Sequence, residues 1–237
     1  MKISETLARE IVRDIVAAGL QSGDRLPPES AMVDHYVVSR ESLREGLRLL
    51  EVQGLITLRR GPGGGPVVGH LDPANLGRSS TLFYHLAGGT YAELFEAWVL
   101  AEGLMAERAA RNPDRSAVKR AMEPYLVEHD ADDHSSLEEF VGGHMCFHGH
   151  LSGLVGNRVL EVSLQAIAQI VSHHVVAHVD PRQMQDMIEH DHLAIARAVS
   201  AGHAHKAAAA MRLHIQKMTD YCAKQLPRQM DGLIDWR

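Results

Sequence analysis

Three arginines, Arg40, Arg44 and Arg48, recur at every fourth residue of one short segment. On an α-helix this spacing places the guanidinium groups in one stripe, roughly a quarter turn from the stripe formed by the leucines of the same segment. A guanidinium group presents a planar fork of N–H donors that fits the edge of a guanine or a phosphate. The stripe therefore indicates a surface that could enter the major groove of duplex DNA.

Other groups near this stripe could contact the sugar-phosphate backbone. Ser39 and Ser42 can donate to phosphates beside the N-terminus of the same helix. Arg59 and Arg60 stand at the tip of a predicted hairpin, where Gly61 opens a glycine-rich turn that would let the backbone approach DNA closely. The alternative is a solvated charged face with Arg–Glu pairs. The order of two helices and a glycine-tipped hairpin favours DNA binding.

Four histidines fall on the apolar stripes of three predicted helices. His144 and His148 are four residues apart on one helix, whereas His192 and His214 lie on two later helices. Burying an imidazole without a partner is costly, and one shared divalent metal ion would satisfy all four. The alternative is that each is a core histidine bonded to a backbone carbonyl or a water. Five further histidines are expected to face solvent or a partner surface: His173, His174, His178, His203 and His205.

These groups must be positioned by helices, because most of the chain shows helical periodicity. Apolar spacing and turn residues predict helices near 4–19, 29–36, 39–53, 79–87, 90–111, 114–130, 135–152, 157–178, 182–201 and 204–225. Residues 55–68 alternate and contain a glycine-rich turn, which predicts a β-hairpin. The fold class is mainly α: a winged helix-turn-helix of three helices and a hairpin, then an all-α bundle of six to seven helices. We expect domains at 1–70 and 79–230, a linker at 71–78, and fraying of about the last ten residues.

Charge and histidine content differ between the two parts of the chain. Residues 1–70 carry 9 Lys+Arg and 9 Asp+Glu, whereas residues 71–237 carry 15 and 21, which accounts for the net charge of −6. Only 2 of the 16 histidines precede residue 71, so the two parts have different tasks. Two cysteines and no long apolar run predict a reduced cytoplasmic protein without a membrane segment.

The segment GDRLPPESAMVDHYVVSRESLREGLRLLEVQGLITLRRGPGGG resembles the winged helix of the GntR family. The shared pattern is GD-x-LP-x-E, then V-S-R, then L-R-E-x-L-x-x-L-E-x-x-G-L, and the resemblance covers about residues 5–68. It implies base and phosphate contacts at Arg40, Arg44, Arg60 and Gly61. Family members often carry arginine where this chain has Ser30, so one DNA contact is expected to be missing.

The segment from about 90 to 225 resembles the FCD effector-binding domain of the FadR subfamily. The family pattern D-x-x-F-H matches His144, Phe147 and His148, and later positions match His192 and His214. The resemblance implies a divalent ion such as zinc or nickel on an aspartate and three histidines. Here the aspartate position is His144, and an all-nitrogen site favours zinc, nickel or copper over magnesium or calcium.

A second departure from the family concerns Trp98. Family members often have an arginine there, which points into the effector cavity, and the resemblance places Trp98 and Glu102 in the effector pocket. Tryptophan removes that positive charge and would suit a bulkier or aromatic ligand. The alternative is that Trp98 only fills a core.

These observations lead to one expected function, with two alternatives. We expect a homodimeric repressor, not an enzyme, that binds a palindromic double-stranded operator and responds to a small organic acid near the metal. A metal-dependent enzyme is one alternative. A hydrolase would need a general base near the metal, but HExxH is missing from the sequence and Glu139 lies about 140° around the helix from His144. The other alternative is an architectural DNA-binding protein without an effector.

Overall fold

The computed structural model describes residues 2–61, 64–127, 137–174 and 178–236, and the chain divides into two compact units, residues 1–75 and 76–237. The first unit consists of α1 (Ile3–Ala17), α2 (Glu29–Tyr36), α3 (Arg40–Val52), β1 (Ile56–Arg59) and β2 (Gly65–Val68). The two strands pair antiparallel, with Ile56 opposite Val68 and Arg59 opposite Gly65. This element order confirms the predicted winged helix-turn-helix.

The core of the first unit lies between α1 and α3. Leu7 and Ile11 pack with Leu43 and Leu47, and all four are at most 2% exposed, because a spacing of four residues keeps them on one face of each helix. The start of α1 differs from the sequence pattern. The helix begins at Ile3, one residue before the predicted start, and Ser4 lies buried inside it.

In the described part of the chain, eight α-helices follow the hairpin. They are α4 (Pro73–Leu86), α5 (Tyr91–Ala110), α6 (Arg115–Met122), α7 (Leu137–Gly153), α8 (Arg158–His174), α9 (Gln185–Ser200), α10 (Ala204–Gln225) and the single turn α11 (Pro227–Met230). The segment 71–78, expected to be a linker, is therefore mostly helical. Asp72 explains this start, because its carboxylate accepts the backbone N–H of Ala74 at 2.9 Å. None of the described helices has the length and apolar composition needed to cross a membrane.

The central helix of the second unit is α5, which contacts α7, α8, α9 and α10. Its first turn is fixed by a capping box, in which Thr90 and Glu93 bond each other's backbone N–H groups. Its inner face carries large apolar side chains such as Phe95 and Met105, which are 0% and 2% exposed. This helix therefore forms one wall of the space between α7, α9 and α10.

Two predicted helices have different ends in the structure. The helix predicted over 114–130 ends at Met122 and continues as a 3₁₀ turn over 123–125, because Pro124 cannot donate to an α-helical ladder. Residues 128–130 of that prediction lie outside the described residues. The helix predicted from residue 182 starts as a 3₁₀ turn, Pro181–Met184, and becomes α9 at Gln185.

The expectation that about the last ten residues fray is wrong for those that the structure describes, which extend to residue 236. Met230 and Ile234 are 9% and 3% exposed. The backbone N–H of Ile234 donates to the carbonyl of Gly89 at 2.9 Å, and Leu233 forms an isolated β-bridge with Thr90. The tail is ordered because it buries apolar side chains against the start of α5.

Candidate nucleic-acid interface and metal centre

The structure places the arginine stripe of α3 on the surface of the first unit. Leu43, Leu47 and Leu50 of the same helix are buried, and Arg40, Arg44 and Arg48 are exposed. The helix is amphipathic because its leucines recur at intervals of four and three residues. Three guanidinium groups are thus presented along one exposed face of a 13-residue helix.

Arg44 is held by an acidic residue of the preceding helix. Its Nε donates to Oε2 of Glu29 at 3.2 Å, and its side chain remains 74% exposed. An exposed ion pair of this kind contributes at most about 1 kcal/mol to stability. Its effect is orientation, because the bond uses Nε and leaves the two terminal amino groups of the guanidinium available for a ligand.

A tight turn connects α2 to α3. Val37 closes α2 in the left-handed region at φ 52°, which is unusual for a β-branched residue. Ser39 then caps α3, since its Oγ accepts the backbone N–H of Ser42 at 3.1 Å and donates to the Ser42 hydroxyl at 3.0 Å. The phosphate contacts predicted for these two serines stay predictions, and the structure adds a capping role.

The hairpin presents two further cations at its tip. Arg59 and Arg60 are exposed at the end of β1, and Gly61 follows at φ 93°, a conformation that glycine adopts readily. The backbone N–H of Gly64 closes the turn by donating to the Gly61 carbonyl at 2.8 Å. Pro62 and Gly63 lie outside the described residues. Two cations therefore sit on a backbone suited to close approach.

The second unit brings the four predicted histidines together. His144 and His148 lie on α7, His192 on α9 and His214 on α10. Their ring centroids are 4.6 to 5.8 Å apart, and one nitrogen from each lies within 4.8 Å of the corresponding nitrogens of the others. Residues separated by up to 70 positions in the chain thus share one small, polar pocket of the core.

The inward nitrogens of this cluster are buried without a hydrogen-bond partner among the described residues. They are Nδ1 of His144 and Nε2 of His148, His192 and His214. Four unsatisfied imidazole nitrogens in one place are costly unless a ligand satisfies them. Imidazole nitrogens that converge in this way are suited to a divalent transition metal such as zinc. The donor set therefore fits such an ion.

Two carboxylates, one buried and one partly buried, hold the outer nitrogens of the cluster. Oε2 of Glu102, on α5, lies 2.7 Å from Nδ1 of His148, and Oδ2 of Asp191, on α9, lies 3.3 Å from Nδ1 of His214. A carboxylate accepts a hydrogen bond from a protonated Nδ1, and in this tautomer the lone pair on Nε2 is directed into the cluster. The cluster is thus prepared for metal binding at two of its four nitrogens.

Burial favours the neutral form of three of the four rings, those of His144, His192 and His214. Burial and the neighbouring imidazoles lower the pKa of His144 and His192 well below its ordinary value. Burial also lowers the pKa of His214, against the opposing effect of its hydrogen bond to Asp191. Burial raises the pKa of Asp191, but its bonds to His214 and to Lys217 outweigh this and lower it overall. Neutral imidazoles are the form that binds a metal.

Trp98 and Glu102, expected in an effector pocket, are both core side chains. They are 5% and 3% exposed, and the indole N–H of Trp98 donates to Oε1 of Glu102 at 3.2 Å. The Trp98 ring also packs edge-on against Phe95 at 5.8 Å. Trp98 thus holds the carboxylate that contacts His148, and a direct contact of either side chain with an effector stays a prediction.

Sequence reasoning did not identify Asp191 as a member of this site or Glu102 as a histidine partner. Asp191 precedes a stripe histidine in the chain, yet its partner His214 lies on another helix, 23 residues away. The expectation for His174 is wrong: it is 4% exposed, and its Nδ1 lies 3.0 Å from the Tyr91 hydroxyl. Only the packing of the helices shows these pairs.

Comparisons with known proteins agree with both units. The FCD domain profile matches residues 93–217, and the profile of bacterial regulatory proteins of the gntR family matches residues 3–64. The Glc operon transcriptional activator of Escherichia coli K12 is 27% identical over 224 residues, 90% of this chain and 86% of that protein. The HTH-type transcriptional repressor NanR of Edwardsiella tarda is 21% identical over 226 residues, 92% and 84% of the two chains.

A solved structure shows the same fold. The chain of Streptococcus agalactiae GntR superposes with a TM-score of 0.62 at 22% identity, covering 92% of this chain and 99% of that chain. The curated relatives are regulators of transcription rather than enzymes.

Proposed function

Since this chain belongs to the FCD-domain regulators of the GntR family, we propose that it is a homodimeric transcriptional repressor controlled by a small organic acid. The observation that carries the proposal is the cluster of four inward imidazole nitrogens in the second unit of a chain whose first unit matches the gntR family. The curated relatives include both an activator and a repressor, so the experiment below also measures the sign of the response.

DNA recognition would use the exposed arginines of the first unit. Arg40, Arg44 and Arg48 on α3 would enter the major groove, with Arg59 and Arg60 against the adjacent backbone. Each arginine is exposed. A dimer presents two such helices, so the operator would be palindromic, with its half-sites spaced by the twofold symmetry.

The four histidines would hold one divalent ion, and zinc is the expected metal. The ion would supply positive charge to attract a carboxylate of the effector. Glu102 and Asp191 keep His148 and His214 in the tautomer that presents Nε2. The four imidazoles carry no charge, whereas other family members use an aspartate as one of the ligands. In this chain, Glu102 and Asp191 supply negative charge beside the ligands instead.

The effector would act by binding two arrangements of the dimer with different affinity. A ligand shifts an equilibrium only by its differential affinity for the two states, and this sets the limit on the change in operator affinity. For a repressor, the arrangement favoured by the ligand is the one that binds operator less tightly.

The test combines metal analysis with operator titration. We expect about one zinc ion per chain after dialysis, a thermal shift with at least one small organic acid, and weaker operator binding in its presence. His192→Ala should lose the metal and the thermal shift, whereas the control His178→Ala, at an exposed histidine, should keep both. Equal affinity for operator and scrambled duplex would instead identify an architectural DNA-binding protein.

A further inference from the structure

The outer face of α5 carries an apolar pair between opposite charges. Leu100 and Leu104 are 57% and 36% exposed, although most large apolar residues of this helix are buried. Glu93 lies seven residues before Leu100, and Arg111 lies seven residues after Leu104. Steps of seven residues return to nearly the same side of a helix, so the four residues form one outer line.

The residues of this line match those of a second copy of α5 that runs in the opposite direction. In an antiparallel pair of α5 helices centred on residue 102, Leu100 would face Leu104 of the partner subunit. In the same register Glu93 would face Arg111 of the partner subunit. An isologous contact requires this property, because each residue must suit its counterpart in both directions.

The outer face of α10 has the same property around a different centre. Leu213 is 58% exposed, Lys206 lies one heptad before it and Asp220 one heptad after it, and both charged residues are exposed. In an antiparallel pair of α10 helices centred on residue 213, Leu213 faces its own copy. Lys206 would then face Asp220 of the partner subunit.

The packing of α5 against α10 brings these two centres to the same level. The helices run antiparallel: Gly202, just before α10, lies beside Ala110 at the end of α5. In the middle, Arg212 covers Gly103 so closely that a Cβ on this glycine would come within 2.6 Å of Arg212 Cγ. Residue 103 is next to the centre of α5, and residue 212 is next to the centre of α10. One twofold axis can therefore serve both helices.

We propose that the outer faces of α5 and α10 form the homodimer interface, in which the α5–α10 pair of one chain stacks on that of a second copy as an antiparallel four-helix bundle. The proposal rests on the dimeric state in the proposed function and adds its surface and register. The occupant is a second copy, because the charges of each line match that same line in reverse. An unrelated partner would not require such a match.

The decisive test reverses the Lys206–Asp220 pair. Within one chain these residues are 14 positions apart, about 21 Å along the helix, well beyond the Debye length of about 8 Å at physiological salt. A rescue between them must therefore act between subunits. We expect Lys206→Glu and Asp220→Lys each to raise the dimer dissociation constant about tenfold, since two attractive pairs become repulsive, and the double variant to restore it.

Sedimentation velocity over a concentration series measures these constants, with thermal unfolding as the check on folding. Leu100→Glu combined with Leu213→Glu should give a folded monomer. The control Val159→Glu, at a residue of α8 that is 76% exposed, should remain dimeric. A double charge reversal no better than the single variants, or a dimeric leucine double variant, would overturn the interface.

A half-site titration separates this proposal from the proposed function. The monomeric leucine variant should still prefer a specific half-site over a scrambled one, because its first unit is intact. A wild-type chain that sediments as a monomer would overturn the interface. A wild-type chain that binds specific and scrambled half-sites equally well would overturn the assignment as a regulator.

Discussion

Replacing Glu102 with glutamine should weaken zinc binding although it changes only one atom of the side chain. The Glu102 carboxylate accepts from Nδ1 of His148 at 2.7 Å and from the indole of Trp98 at 3.2 Å. In Glu102→Gln the amide oxygen can still accept from Trp98, but the amide nitrogen then faces His148 as a donor. His148 must accept on Nδ1, and its proton moves to Nε2, the nitrogen directed into the cluster.

A protonated Nε2 has no lone pair for a metal, so the substitution disfavours coordination by His148, one of the four ligands. Loss of such a carboxylate–histidine partner typically lowers metal affinity about 10- to 100-fold, which corresponds to about 1.4 to 2.8 kcal/mol. Competition titration of zinc against a chromophoric chelator, on protein first stripped of metal, measures the difference directly.

The matched control is Glu96→Gln, on the same helix but on its exposed side. It should leave zinc affinity unchanged and shows the effect of removing one negative charge alone. If Glu102→Gln binds zinc as tightly as the wild-type protein, the carboxylate does not orient His148, and the argument from tautomers is wrong.

Three further predictions concern the DNA surface, pH and the tail. Arg44→Ala should weaken operator binding by about 1–3 kcal/mol and leave the affinity for scrambled DNA nearly unchanged. DNA titrations measure both affinities, and Arg13→Ala, at another exposed arginine, is the control. Equal small losses on the two duplexes would refute a contact between Arg44 and a base. Because burial lowers the pKa values of His144 and His192, the unfolded metal-free chain takes up protons that the folded chain does not. Its stability should therefore fall from about pH 7 to about pH 5, and a constant midpoint of thermal unfolding across this range would contradict the cause given. Deleting the residues after Leu226 removes buried apolar contacts and should lower the unfolding midpoint by several degrees; an unchanged midpoint would mean that the tail does not stabilise the second unit.

The sequence predicted those parts of the site that depend on spacing within one helix. The arginines of α3 and the leucines opposite them follow the helical period, and so do His144 and His148. Local periodicity is a property of the chain itself, so these predictions required no knowledge of how the helices pack.

Contacts between helices could not be predicted in the same way. Glu102 and His148 are 46 residues apart, and their 2.7 Å contact depends on how α5 packs against α7. The burial of His174 could not be predicted either, because its position beside Tyr91 depends on the packing of α5 against α8. Spacing alone also missed the ordered tail, which is held by Ile234 and the backbone of Gly89.

The helices α5 and α10 each have two chemically different sides at the same height. His214 points into the histidine cluster while its neighbour Leu213 faces outward, and on α5 Glu102 lies inside between Leu100 and Leu104. A helix turns as a stiff rod, so any rotation that adjusts an inner nitrogen moves the outer leucine through the same angle. Coordination chemistry in the core and the fit between subunits would therefore be mechanically linked, through positions one residue apart on α10 and two residues apart on α5.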